Sequence, residues 1–205
     1  MWGEWASWAG NTVPPSMSKV FVITGPSGVG KGTLIKRLLV ACPNLELSIS
    51  ATTRQPREGE VDGRDYHFLS REQFDQRIAE DDFLEFATYS DNRYGTLRSE
   101  VEKRLDAGHS VVLEIEVQGA QQVRATDVDS VQIFISPPDP AVLRERLVGR
   151  GTDSEEAIDK RLEVAKQELA VKEDFDYQVV NEDVGRATEE LVAIVRGELG
   201  GGPTE

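Results

Sequence analysis

Short apolar runs alternate along the chain with longer stretches in which apolar positions recur every three to four residues. The runs predict strands over 19–24, 110–116, 131–135 and 177–180. Each is apolar almost throughout, as expected of a strand covered on both faces. The helical period predicts helices over 31–41, 99–107, 140–149, 155–172 and 186–199. Start and stop chemistry supports several of them. Asp139 can cap ahead of Pro140, Thr152 and Glu155 have capping-box spacing, and Gly108 stands where a helix end wants a left-handed residue. Strand and helix in alternation predict an α/β fold around a mostly parallel sheet.

Two regions break this rhythm. Residues 50–96 are polar, with a turn-rich stretch at 55–63, strand candidates at 65–69 and 83–89, and a helix around 74–78 that Ser70 and Gln73 can cap. A small subdomain inserted into the core is expected there. The span 141–167 is dense in Arg and Glu and interrupted by Gly149 and Gly151. Glycines beside charged helices suit the hinges of a lid, although a solvated charged helix pair is the usual explanation of such a run.

Between the first predicted strand and the first predicted helix lies Gly25-Pro26-Ser27-Gly28-Val29-Gly30-Lys31-Gly32-Thr33. Strand, glycine-rich turn and helix start make a phosphate-binding P-loop. Glycines let consecutive N–H groups turn inward, the helix N-terminus adds its positive end, and Lys31 brings a full charge to the outer phosphates. A bound nucleoside triphosphate is therefore expected. One position departs from the pattern: Gly32 stands where a hydroxyl normally meets Mg²⁺, and the hydroxyl follows one residue later at Thr33.

The chain has 205 residues, enough for one domain with a large core, and 39% hydrophobic with 29% charged residues reads as globular. A net charge of −14 argues against nucleic acid or an anionic membrane as partner, because both would repel it. The single cysteine, Cys42, excludes an internal disulfide framework, suits a reducing cytoplasm and is expected to pack near the end of the first helix. His67 and His109 lie far apart without cysteine partners, so a His/Cys zinc site is not expected. No apolar run is long enough to span a bilayer. Residues 1–16, with Trp2, Trp5 and Trp8 but no basic residue, are expected to be a disordered extension or to precede a true start at Met17; 200–205 are expected to be a disordered tail.

A P-loop in a short chain with an insertion and an arginine-rich span suggests a small-molecule kinase, and no Asn-Lys-x-Asp guanine signature of GTPases is present. The insertion narrows the choice. Ser50-Ala51-Thr52-Thr53-Arg54-Gln55-Pro56-Arg57-Glu58-Gly59-Glu60, then Gly63-Arg64-Asp65-Tyr66-His67-Phe68, then Glu85 with Tyr94-Gly95-Thr96, closely resembles guanylate kinase. The resemblance continues through Glu114-Ile115-Glu116-Val117-Gln118-Gly119-Ala120, Gly149-Arg150-Gly151-Thr152, Lys160-Arg161 and Val179-Val180-Asn181. It covers nearly all of 19–199 in order.

The resemblance implies a P-loop kinase fold in one domain over 17–199. Its core would be 17–49, 97–140 and 168–199, its GMP-binding insertion 50–96 and its lid about 141–167. It implies transfer of the γ-phosphoryl group of ATP to GMP, and to dGMP, with Mg²⁺, in a cytoplasmic monomer or homodimer. Arg54 and Arg57, three apart around Pro56, suit a bidentate clamp for the acceptor phosphate, with Tyr66 and Tyr94 as phenolic donors. Glu85 would accept from guanine N1–H and N2–H, with Ser50 and Thr96 as hydroxyl partners; adenine would leave that carboxylate unpaired. On the donor side, residues 25–33 would hold the β- and γ-phosphates and Asn181 would lie near the adenine ring. Arg146, Arg150 and Arg161 would act with Lys31 and Arg54 on the transferred group.

Glu116 stands where the family commonly has Asp. It would face GMP and, with Thr33, help hold Mg²⁺ through water, unless that role has moved to Glu114 or Glu116 is a plain strand-end carboxylate. Two other functions remain open at this point: a related kinase with another phosphorylated acceptor, and a non-catalytic guanylate-kinase-like binding module. The retained Glu85–Tyr94–Thr96 set speaks against the first. The intact Lys31 and arginines speak against the second.

Overall fold

In a computed structural model that describes residues 18–89, 91–149 and 154–200, the apolar runs pair into a parallel sheet. In chain order the first half holds β1 (Val20–Thr24), α1 (Lys31–Ala41), β2 (Leu45–Leu47), β3 (Ala51–Thr52), β4 (His67–Phe68), α2 (Arg71–Ala79), β5 (Phe83–Tyr89) and β6 (Asn92–Leu97). The second half holds α3 (Arg98–Asp106), β7 (Ser110–Glu114), α4 (Val117–Arg124), β8 (Ser130–Ser136), α5 (Pro140–Val148), α6 (Glu155–Ala170), β9 (Tyr177–Val180) and α7 (Val184–Glu198).

The main sheet has the order β2-β7-β1-β8-β9, all parallel. β1 lies between β7 and β8, so consecutive connections leave it in opposite directions. That is the switch point at which open α/β sheets open a crevice beyond their strand ends. Phe21, Ile23, Ile133 and Ile135 point to one face, against Leu34 and Leu38 of α1 and Leu191 and Val195 of α7. Val20, Val22, Leu113 and Phe134 point to the other, against Val101 of α3 and Ala120 and Val123 of α4. Cys42 is buried at the end of α1, in the first of these clusters, as expected. Each large apolar side chain buried this way contributes about 2 kcal/mol.

The insertion forms a second sheet, β4-β3-β6-β5, with β3 and β4 parallel and the rest antiparallel. Its own core is small: Ala51, Phe74, Phe83 and Leu97, with the Phe74 and Phe83 rings stacked at 4.4 Å. The Ser70–Gln73 capping box forms as expected and starts α2 at Arg71. On the edge of this sheet, the Gln122 side chain from α4 meets β5. Its amide oxygen accepts from the Phe86 N–H at 3.1 Å and its amide nitrogen donates to the Phe86 carbonyl at 3.0 Å.

Several expected boundaries shift. β7 ends at Glu114 rather than 116, because the chain turns at Ile115 and Glu116 becomes the residue ahead of α4. β4 shrinks to two residues because the turn before it runs to Tyr66, with Gly63 N–H bonded to the Tyr66 carbonyl. α6 ends at Ala170, where a short 3₁₀ turn over Lys172–Asp174 begins. β2, β3, β6 and α4 go beyond the expected elements: the three strands have at most six residues, and α4 has eight, too few for a periodic signal. Asp139 caps α5 and Gly108 is left-handed, as expected. Ser154 caps α6 through the Ala157 N–H. The expectations for 1–16, Arg150, Gly151, Thr152 and 201–205 fall outside the described residues. Among the described residues, no helix is long and apolar enough to cross a membrane.

Candidate active site

The P-loop closes over the C-terminal end of β1. Gly25, at φ 139°, runs so close to the Ile135 carbonyl of β8 that a Cβ would collide with it. Gly30, at φ 100°, occupies the cap position of α1 without any side-chain cap, and the first turn of that helix carries no acidic residue. Its leading N–H groups are thus presented to a ligand with the positive end of the helix behind them. The Lys31 ammonium lies against the carbonyls of Gly25 and Pro26, at the mouth of the loop.

Two side chains hold the loop at Val29. Asn181, just past β9 and 2% exposed, donates from Nδ2 to the Val29 carbonyl at 2.7 Å. Arg146 of α5 donates to that same carbonyl at 3.0 Å and to the Asn181 carbonyl at 3.1 Å. Asn181 also leaves no room for a side chain at Gly30, where a Cβ would lie 2.6 Å from Nδ2. Asn181, expected near the adenine ring, and Arg146, expected on the transferred group, thus both fasten the backbone of the loop.

In front of the loop lies a cleft of about 930 Å³. Gly25, Ser27 and Lys31 form its core side, Ser50 and Tyr66 its insertion side, and Lys160, Arg161 and Glu168 of α6 a third wall. A pocket of about 290 Å³, lined by Glu85, Tyr94 and Gly119, adjoins it, and Ser50, Tyr66, Tyr89, Glu114, Ile115 and Glu116 border both.

Glu85 is the buried acid of this pocket, 6% exposed on β5. Thr96, its register partner on β6, donates its hydroxyl to Oε1 at 2.8 Å. Gly119 of α4 approaches the other oxygen so closely that a Cβ there would stand 2.7 Å from Oε2. Burial pushes the Glu85 carboxyl above the usual carboxylate range, and the Thr96 hydrogen bonds oppose that shift. An aimed, desolvated carboxylate of this kind selects a ligand that presents paired N–H donors.

Of the residues expected at the acceptor phosphate, Arg54, Tyr66 and Tyr94 lie together beside it. The Arg54 guanidinium lies 5.3 Å from the centre of the Tyr66 ring, and Tyr66 and Tyr94 meet edge to face at 6.2 Å. Arg54 donates from Nη2 to both oxygens of Glu60, at 2.8 and 3.0 Å, and from Nη1 to the Gln55 carbonyl at 2.8 Å. Arg57 is exposed and gives its backbone N–H to Glu60 at 2.7 Å.

The acidic groups lie on the floor between the two sites. Glu116 is exposed at the start of α4, and Glu114 at the end of β7 points at Gly32, where a Cβ would lie 3.8 Å from its Oε1. Gly32 has ordinary space around it and no positive φ, so neither packing nor strain requires glycine there. Thr33 is exposed in the first turn of α1. Glu168 is pushed above the usual carboxylate range by burial, while the Lys31 charge draws it down.

The structure thus brings Lys31, Ser50, Tyr66, Glu85, Tyr94, Glu116 and Arg161 to the lining of the two adjoining cavities, with Thr96 bonded to Glu85 and Arg54 against the Tyr66 ring behind it; Arg57, Arg146 and Asn181 line neither. Sequence reasoning passed over Glu60, Gly119 and Glu168. For Glu60 a signal was present: Arg54, Arg57 and Glu60 repeat at three-residue spacing around a proline. Gly119 stands in a stretch that carries the resemblance, but its contact with Glu85, like the place of Glu168, depends on elements distant in sequence.

A P-loop at the switch point of a parallel sheet, facing an inserted pocket with an arginine–tyrosine cluster, defines a P-loop kinase whose acceptor carries a phosphate. The comparisons with known proteins carry this further. Residues 17–198 match the guanylate kinase family model. The guanylate kinase of Rubrobacter xylanophilus is 52% identical over 184 residues, covering 90% of this chain and 96% of that protein. That of Synechocystis is 54% identical over 177 residues, covering 86% and 93%. The crystal structure of guanylate kinase from Anaplasma phagocytophilum superposes with a TM-score of 0.68 at 32% identity, covering 92% of this chain and 87% of that one. The chain belongs to the guanylate kinase family.

Proposed function

We infer that this protein transfers the γ-phosphoryl group of ATP to GMP, forming ADP and GDP. The observation that carries the reading is that the buried Glu85–Thr96 pocket adjoins the P-loop cleft, with Tyr66, which carries Arg54 against its ring, lining both. Guanine in that pocket gives its N1–H and N2–H to Glu85 while Ser50 and Thr96 flank it. Its phosphate then meets Arg54, Arg57, Tyr66 and Tyr94. Residues 25–33 wrap the β- and γ-phosphates of ATP, with Lys31 supplying charge. Arg161 faces the transferred group from α6, and Arg150 is assigned there by resemblance alone. Arg146 and Asn181 keep the loop in shape beside the adenine.

The acceptor phosphate is already ionised, so no general base is needed; catalysis is positioning plus charge stabilisation. Closing the cleft excludes water and so suppresses idle hydrolysis of ATP. Phosphoryl transfer in this family is generally Mg²⁺-dependent, and Mg²⁺ prefers hard oxygen ligands while keeping several waters. Glu114 beside Gly32, exposed Glu116 and exposed Thr33 form a donor set of that kind. When bound, the ion neutralises charge on the β- and γ-oxygens. The same reading gives dGMP as a second acceptor, a cytoplasmic location and a monomer or homodimer.

An ADP-release assay with AMP, CMP, GMP and UMP tests it. GMP is expected to be the acceptor, and Lys31→Ala to lower kcat about 100-fold or more, the scale of losing one preorganised charge. Turnover with AMP alone, or equal activity in the mutant, would overturn the reading.

A further inference from the structure

The 54–60 turn holds a carboxylate where the reading above puts an anion from outside. Glu60 accepts Arg54 Nη2 on both oxygens and the Arg57 N–H on one, and its own N–H donates to the Arg57 carbonyl at 3.1 Å. Arg54 is thereby fixed on three sides, by Glu60, by the Gln55 carbonyl and by the Tyr66 ring. A guanidinium has five N–H groups in a rigid plane, so those the turn does not use can still hold a phosphate.

We propose that Glu60 is a positioning residue for the acceptor phosphate: it holds Arg54 and the Arg57 backbone in the geometry the phosphate meets, and stays bound when the phosphate arrives. The inference rests on the reading of Arg54 as a phosphate ligand. Displacing Glu60 would break a turn as well as an ion pair, and would free a carboxylate beside a dianion. Retaining it keeps the Arg54 guanidinium already ordered when the phosphate arrives, which lowers the entropy cost of binding. Arg54 holds the Glu60 carboxyl below the usual carboxylate range, so it is ionised at neutral pH.

Calorimetric titration of GMP and of guanosine into the full chain, with steady-state kinetics, tests this. Glu60→Gln is expected to weaken GMP about tenfold, the low end for a charge-assisted hydrogen bond. The KM for GMP rises in parallel, while the KM for ATP and kcat stay within about twofold, because only ground-state acceptor binding is touched. Guanosine, which has no phosphate, binds wild type and Glu60→Gln alike, and Glu60→Asp restores part of the GMP affinity. Once Arg54→Ala is present, adding Glu60→Gln costs clearly less than it does in wild type, only what the Arg57 N–H bond contributes. Unchanged or tighter GMP binding in Glu60→Gln overturns the proposal, since the carboxylate would then be a spectator or a competitor. Equal losses for GMP and guanosine also overturn it, as a merely structural effect. If Arg54→Ala leaves GMP binding intact while Glu60→Gln weakens it, the clamp reading fails instead, and the proposal falls with it.

Discussion

Burial sets the Glu85 carboxyl against its own charge. Thr96 satisfies one oxygen, and Gly119 packs at the other without supplying a side-chain donor, so in the free protein the ionised form lies in poorly solvating surroundings. A carboxyl raised above its unfolded value adds stability below that unfolded value and loses it as pH rises through the folded one. Glu85→Gln is therefore expected to melt at or above the wild-type temperature, with the gap widening as pH rises through the folded pKa and closing in acid. The same substitution turns one of the two acceptor oxygens into an NH₂ donor that faces a guanine N–H, so discrimination of GMP over AMP collapses. Melting curves against pH, with the acceptor panel, check both halves. A mutant that is both less stable and fully GMP-selective would contradict the assignment. Single-residue chemistry of this kind was legible once Glu85 was read with Tyr94 and Thr96. Its burial and its contact with Gly119 were not, because Gly119 comes from a helix that follows a different strand.

At the scale of elements, the P-loop is a short segment whose shape is kept by its neighbours. Val29 is bound by Asn181 and Arg146, which follow it by more than a hundred residues. Asn181→Ala would take away one of the two donors to the Val29 carbonyl and leave Arg146, a loss of about 1 kcal/mol. The expected result is a lower melting temperature and a raised KM for ATP, with GMP affinity unchanged in titration. The sequence showed the loop itself, because strand, glycines, lysine and helix are contiguous. It did not show how the loop is held, and it placed Asn181 and Arg146 only by resemblance. Apolar runs located β1, β7, β8 and β9 to within two residues. β2, β3 and β6 are too short or too polar to carry such a signal, since their pairing is decided by partners across the sheet.

Over the whole molecule, the two sheets are unequal in what they bury. The main sheet is packed on both faces by two large clusters, whereas the inserted sheet rests on Ala51, Phe74, Phe83 and Leu97 with few helpers. Local opening follows such differences. Backbone amides of β3, β5 and β6 are expected to exchange with solvent faster than those of β1, β7 and β8, and to slow when GMP is added. Hydrogen-exchange mass spectrometry checks this; equal protection in both sheets would refute it. The order of main-sheet strands was not legible in the sequence, although its α/β class was, and that order is what puts the P-loop and the insertion on one side.

The Gln122 side chain has a consequence for life at high concentration. β5 is the outer strand of its sheet and carries the exposed rings of Phe86 and Tyr89, the kind of edge on which a second chain can add a strand. By taking the Phe86 N–H and feeding its carbonyl, one amide side chain imitates a partner strand and removes that foothold. The hold of α4 on the insertion thus also covers part of its open edge.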